Sequence, residues 1–191
     1  FPDEKVTEGL DGLRPRLEEY ASLGARFAKW RAVITIGEGV PTDACIRANA
    51  HALARYAALC QAASIVPMIE PEVLLDGGHT VERAEEATEA ALRATYAAMA
   101  AHHVSLEHLI LKTSMVVSGK ECPRQATVDE VAERTIRVLK RTVPAALPGQ
   151  LALQLGGAVQ LRRRFERRTR IGLRGGQEPA RKLRRPHFLQ Q

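Results

Sequence analysis

The chain has 191 residues, 45% hydrophobic and 26% charged, which suits one globular domain with a sizeable core. Aromatic residues make up only 4%, so packing must rest on Leu, Val, Ile and Ala, and the absence of any apolar run of about 18 residues leaves no expected membrane-spanning helix. The net charge of +6 sits at one end: residues 158–191 hold eleven Lys/Arg against Glu166 and Glu178, a tail at +9 that leaves residues 1–157 at −3, so the basic pI does not mark the body as a nucleic-acid binder.

Leu10, Leu13, Leu17 and Tyr20 recur at helical spacing, with Gly24 as a stop. From Phe27 to Ile36 the chain alternates. Ala28, Trp30, Ala32, Ile34 and Ile36 form an apolar face, and Phe27, Lys29, Arg31, Val33 and Thr35 form the other, which predicts a strand. Thr42 reads as the N-cap of a long helix to about Ala63. Ile65 to Glu70 predicts a second strand, followed by Pro71, Glu72 and a loop with Asp76-Gly77-Gly78. A helix over about Val81–His102 carries Glu82, Glu85, Glu86 and Glu89 early, where the helix dipole favours acids. Leu106 to Thr113 predicts the third strand. Thr127 and Glu130 form a capping box for a helix to Thr142. A turn-rich link then leads to a fourth strand over Leu151–Leu155, ending at Gly156-Gly157.

Strand, loop, long helix, strand, repeated, predicts βα units in a parallel sheet. The intervals agree: Lys29 to Glu70 is 41 residues, Glu70 to Lys112 is 42, and Lys112 to Leu155 is 43. In such sheets functional groups gather towards the carboxyl ends of the strands. Lys29, Arg31, Glu70, Glu72 and Lys112 are the candidates. Lys112 ends an apolar run, where an unpaired charge is costly to desolvate. A lysine so placed can attack a carbonyl and form a Schiff base. The resulting iminium is an electron sink that permits carbon–carbon cleavage. Glu70 or Glu72 could shuttle protons, Lys29 could repel the charge of the first lysine, and Arg31 could grip a phosphate or carboxylate. Singly, each is more simply a solvated or mutually paired charge. Together they point to a Schiff-base lyase or aldolase acting on an anionic carbonyl substrate.

Several stretches carry a resemblance. They are Glu8-Gly9-Leu10-Asp11-Gly12-Leu13, Phe27-Ala28-Lys29-Trp30-Arg31, Ala48-Asn49-Ala50, Val66-Pro67-Met68-Ile69-Glu70-Pro71-Glu72, Leu111-Lys112 and Arg141-Thr142-Val143-Pro144. In their order and spacing over about residues 6–149, the body resembles class I fructose-bisphosphate aldolase. The resemblance implies a partial TIM (β/α)8 barrel of about four βα units over residues 1–157, with a divergent basic tail over 158–191. It implies Lys112 as the Schiff-base lysine, Glu70 as general acid/base, Glu72 as its acidic neighbour, and Lys29 as the lysine that polarises the substrate. It also implies Arg31, Gly156 and Gly157 as substrate-phosphate ligands. The implied reaction is reversible cleavage of fructose 1,6-bisphosphate to dihydroxyacetone phosphate and glyceraldehyde 3-phosphate. The implied partners are the phosphorylated sugar and further copies of the chain, a tetramer in the family. No metal and no cofactor is implied.

The chain also departs from the family pattern. Ile110-Leu111-Lys112-Thr113-Ser114-Met115 stands where the family has L-L-K-P-N-M, His108 replaces a glycine, and Leu155 replaces the serine of an S-G-G loop. Family members carry roughly three βα units before the equivalent of Glu8. The expectation is a piece of an aldolase, cut short upstream and shifted out of frame after about Pro148, impaired on its own. The alternative is an inactive paralogue whose basic tail binds nucleic acid or another polyanion. A disordered extension is the preferred reading of that tail, since Phe165 and Phe188 are too few for a stacking platform. Cys45, Cys60 and Cys122 lack CxxC spacing, so disulfides are not expected and a reducing cytoplasm fits best. The six histidines show no ligand spacing, and His102-His103 at a helix end reads as serving the dipole or solvent.

Overall fold

The computed structural model describes residues 3–152; Leu155, Gly156, Gly157 and the basic tail lie outside the described residues. The elements run α1 (Leu13–Ser22), β1 (Phe27–Ile34), α2 (Asp43–Ala62), β2 (Val66–Val73), α3 (Val81–Ala101), β3 (Ile110–Thr113), α4 (Val128–Thr142) and β4 (Gly149–Ala152). The four strands are all parallel and lie in sequence order. Right-handed crossovers in such an order put every helix on the same side of the sheet. This is the arc of a (β/α)8 barrel, as expected.

The local chemistry follows the expected signals at the helix starts. The Thr42 hydroxyl accepts from Cys45 N at 3.1 Å, and Thr80 does the same for Arg83 N. Thr127 and Glu130 close a reciprocal capping box. After α1 the chain turns through Gly24 at φ +95°, a backbone state that favours glycine.

The core lies between sheet and helices. Trp30, Ala32 and Ile34 of β1, Ile69 and Val73 of β2, and Leu111 of β3 pack with Leu53, Tyr56, Ala57, Leu92, Tyr96 and Met99. These are the alternate residues read as the apolar face of the first strand, extended across the sheet. Leu111 is fully buried, and truncating such a leucine to alanine costs about 2–5 kcal/mol. The three cysteines are free and buried.

Three expectations are corrected. The third strand does not begin at Leu106: Leu106–His108 is a 3-10 turn, whose single apolar residue, Leu106, packs against the core. The fourth strand begins at Gly149, two residues before the predicted start. The second strand does not end at Glu70 but runs through Pro71 and Glu72 to Val73.

That extension has a physical reason. Val66 N donates to Arg26 O and Leu74 N to Ile34 O, so the even-numbered amides of β2 face β1. Alternation then turns positions 67, 69, 71 and 73 towards β3. Both prolines, Pro67 and Pro71, therefore spend their missing N–H on the β3 side. β1 and β2 pair over eight positions, whereas β2 and β3 pair only at Met68–Ile110 and Ile69–Leu111. Beyond that point side chains take over. The Thr113 hydroxyl donates to Pro71 O and the Ser114 hydroxyl to Val73 O, each at 3.4 Å.

Candidate active site

The sheet face turned away from the helices carries the charges. Register places Arg31 opposite Glu70, and continuing the Met68–Ile110 pairing by two residues places Glu70 opposite Lys112. One row across three strands thus reads Arg31, Glu70, Lys112. Lys29 belongs to the row before, opposite Met68, so the 41-residue interval does not mark a shared row. Lys29 reaches Glu70 diagonally, along its side chain.

Glu70 is the centre of the group, with only 1% of its surface exposed. Lys112 Nζ donates a short hydrogen bond to Glu70 Oε1. Lys29 Nζ lies 2.9 Å from Oε2 as an ion pair, without the alignment of a hydrogen bond. Burial alone would raise the Glu70 carboxyl. The hydrogen bond from Lys112, the contact from Lys29 and the charges of both outweigh it and hold the carboxyl below the ordinary carboxylate range. A buried carboxylate is tolerated when it is paired on both oxygens. The Lys112 side chain is 23% exposed and that of Lys29 45%. Solvent therefore reaches the lysines but barely reaches the carboxylate between them.

Glu72 does not join this trio. Arg31 Nε donates to Glu72 Oε2 at 2.5 Å, and that hydrogen bond, more than the charge itself, pushes the Arg31 guanidinium up. This contact engages only Nε, and Arg31 has both Nη groups for other acceptors. Thr113 and Ser114, beside Lys112, are buried and spend their hydroxyls on the β2 carbonyls rather than on the charged cluster.

The arrangement suits proton movement followed by nucleophilic attack. An ammonium that donates to a carboxylate can pass its proton along that bond, leaving a neutral amine and a carboxylic acid. A neutral amine attacks carbonyls; the acid beside it can protonate a departing hydroxyl. Among the described residues no group of three or more His, Cys, Asp and Glu could hold a metal ion.

Two features escaped the sequence. Glu85, one of the early acids of α3, is 9% exposed and pairs with Arg134 and Arg137 of α4. His51 and His102 meet although 51 residues separate them. Neither pairing has a spacing signal, because each depends on how two helices lie side by side.

Comparison with known proteins follows the same lines. A family model described as glycolytic fructose-bisphosphate aldolase class-I matches residues 2–161. The chain is 63% identical over 156 residues to a probable fructose-bisphosphate aldolase class 1 of Xanthomonas campestris pv. campestris, covering 82% of this chain and 47% of that protein. It is 48% identical over 153 residues to the cytoplasmic isozyme 2 of fructose-bisphosphate aldolase from Pisum sativum, covering 80% of this chain and 42% of that one. Among solved structures, the fructose-bisphosphate aldolase of Plasmodium falciparum matches with a TM-score of 0.79 and 45% identity, over 82% of this chain and 46% of its own. The chain therefore spans about half the length of the curated relatives it matches.

Proposed function

The chain belongs to the class I fructose-bisphosphate aldolase family, and from that premise we propose that Lys112 is the Schiff-base nucleophile of a metal-independent aldol cleavage, with Glu70 as its proton partner. One observation carries the reading: a buried carboxylate held between two lysines of the flanking strands, one of them at a strand end.

The steps run from that geometry. Lys112 gives a proton to Glu70 and attacks the ketone carbon of the open-chain sugar phosphate. Glu70 returns a proton to the resulting hydroxyl, which leaves as water, and an iminium remains. Glu70, again a carboxylate, takes the proton of the hydroxyl borne by the carbon of the scissile bond that is farther from the iminium. The bond electrons then flow towards the iminium, releasing an aldehyde and leaving an enamine. Protonation of the enamine carbon and hydrolysis of the iminium free the ketone product and restore Lys112. Lys29 keeps Glu70 ionised between proton transfers. Arg31 offers its remaining N–H groups to a substrate phosphate, with Glu72 holding its orientation. Gly156 and Gly157 belong to the same proposal on their sequence alone.

The substrate class in this reading is a phosphorylated ketose, fructose 1,6-bisphosphate with dihydroxyacetone phosphate as the ketone product. A homo-oligomer, tetrameric as the resemblance implies, and a cytoplasmic location are part of it. No helix of the described residues is long and apolar enough to cross a membrane.

The test is reductive trapping. The chain is incubated with dihydroxyacetone phosphate and borohydride, then mapped by peptide mass. The expected result is one covalent adduct on Lys112. An adduct spread over other lysines, or none at all, overturns the assignment.

A further inference from the structure

On the opposite side of the sheet, the helices bring together two side chains that the proposed reaction does not use. His51 lies within α2 and His102 caps the C-terminus of α3. The two helices pack on each other. Their buried faces are rich in alanine, with Ala50, Ala54 and Ala57 on α2 and Ala84, Ala87 and Ala91 on α3. Small side chains let helices lie close, and the larger residues at the margin then meet. His51 Nδ1 and His102 Nε2 are 3.2 Å apart, with ring centroids at 4.9 Å and planes tilted by 60°.

We propose that His51 and His102 form a surface chelate site for a borderline divalent cation of the zinc, nickel or copper type, bridging α2 to α3. Imidazole is a preferred ligand of these ions and a poor one for magnesium or calcium. Two imidazoles at ~2.0–2.1 Å from a tetrahedral zinc ion stand about 3.3 Å apart. The observed nitrogen separation needs almost no adjustment to meet that span. His51 is exposed and His102 half-buried, so the rings can turn both lone pairs towards a common point, and solvent can fill the open positions of the ion. Among the described residues no third His, Cys, Asp or Glu completes a cage. The site is therefore a two-point clamp with exchangeable water, of moderate affinity and fast exchange. The hydrogen bond between the rings is its metal-free state: one ring donates its N–H to the other, and on binding the ion that ring takes its other tautomer, carrying its proton on the nitrogen that does not face the metal.

The experiment is calorimetric titration of the 191-residue chain with zinc ions, with magnesium ions as the control. The expected result is one zinc ion per chain, no magnesium binding, and at least a tenfold loss of zinc affinity in His51→Ala and in His102→Ala. His103→Ala, adjacent but outside the pair, is expected to bind as the parent does. Far-ultraviolet circular dichroism checks that each variant is folded, and His102→Gln serves if His102→Ala is not. No zinc binding by the parent overturns the proposal. So does zinc binding that survives both pair substitutions, or that falls equally in His103→Ala.

Discussion

Two buried carboxylates in this molecule have the same arrangement and different partners. Glu70 sits between Lys29 and Lys112 on the charged face of the sheet. Glu85 sits between Arg134 and Arg137 at the seam of α3 and α4. Each is an acid surrounded by two cations, and each offsets its own desolvation by pairing. The difference is in what the cations can do. Guanidinium does not release its proton in proteins, and its rigid fork fixes geometry. Ammonium can release a proton and then act as a nucleophile. The first cluster therefore holds a group that can become a nucleophile, and the second can only hold two helices together. A charge network is a candidate for chemistry when one of its members can leave the charged state.

The largest expected effect isolates that member. Lys112→Arg keeps the positive charge beside Glu70 and removes the proposed nucleophile, so borohydride trapping is expected to fall to background; Arg134→Lys, the reverse exchange in the other cluster, is expected to leave trapping as it was. Adduct formation persisting in Lys112→Arg would break the contrast. Next comes Glu70→Gln, which keeps the shape and removes the proton acceptor. Adduct formation is expected to slow by roughly 10²–10⁴-fold, the usual span of general acid–base catalysis, as read by quenched-flow mass spectrometry.

Glu85→Ala tests the other side. It removes two charged hydrogen bonds from the α3–α4 seam, one to each of Arg134 and Arg137, and takes one partner from each arginine. A stability loss of about 1–3 kcal/mol is expected from urea unfolding, with the rate of trapping unchanged. A variant as stable as the parent would mean the seam contributes nothing. The smallest effect is in acid. The Glu70 carboxyl is held below its ordinary 4.5, so the unfolded chain takes up its proton first as pH drops. The stabilisation from this ion pair is full above pH 4.5 and is lost as pH falls below it through the folded value. Below pH 4.5 the parent should lose stability more steeply than Glu70→Gln; equal slopes would sink the idea.

Much of this architecture was legible in the chain itself. The alternation of Phe27–Ile36 separated the buried Trp30, Ala32 and Ile34 from the charged Lys29 and Arg31, because a strand has period two. Thr42 and the Thr127–Glu130 box marked helix starts through local hydrogen bonds. Lys112 stood out because an apolar run rarely ends in an ammonium. What stayed hidden depends on neighbours distant in sequence. The regular intervals reveal repeated βα units but not the register, which sets Arg31 opposite Glu70 and Lys29 opposite Met68. Leu106–His108 reads as the start of the third strand but turns as a 3-10 segment. Pro71 reads as a strand breaker, and only the sheet shows that its missing donor lies on a side where pairing has already ended. Glu72 looked like a partner for the lysine and is committed to Arg31 instead.

Those prolines have a mechanical meaning. The β1–β2 boundary is tied at eight positions, so Arg31 and Glu72 are referenced to a stiff part of the sheet. The β2–β3 boundary is tied at two, and its far end hangs on two long hydroxyl contacts. Lys112 and Glu70 stand on opposite sides of that boundary. The separation of the proposed nucleophile and its proposed proton partner is therefore set across the most compliant line among the described strands, while the guanidinium that would hold the substrate is set across the least compliant one.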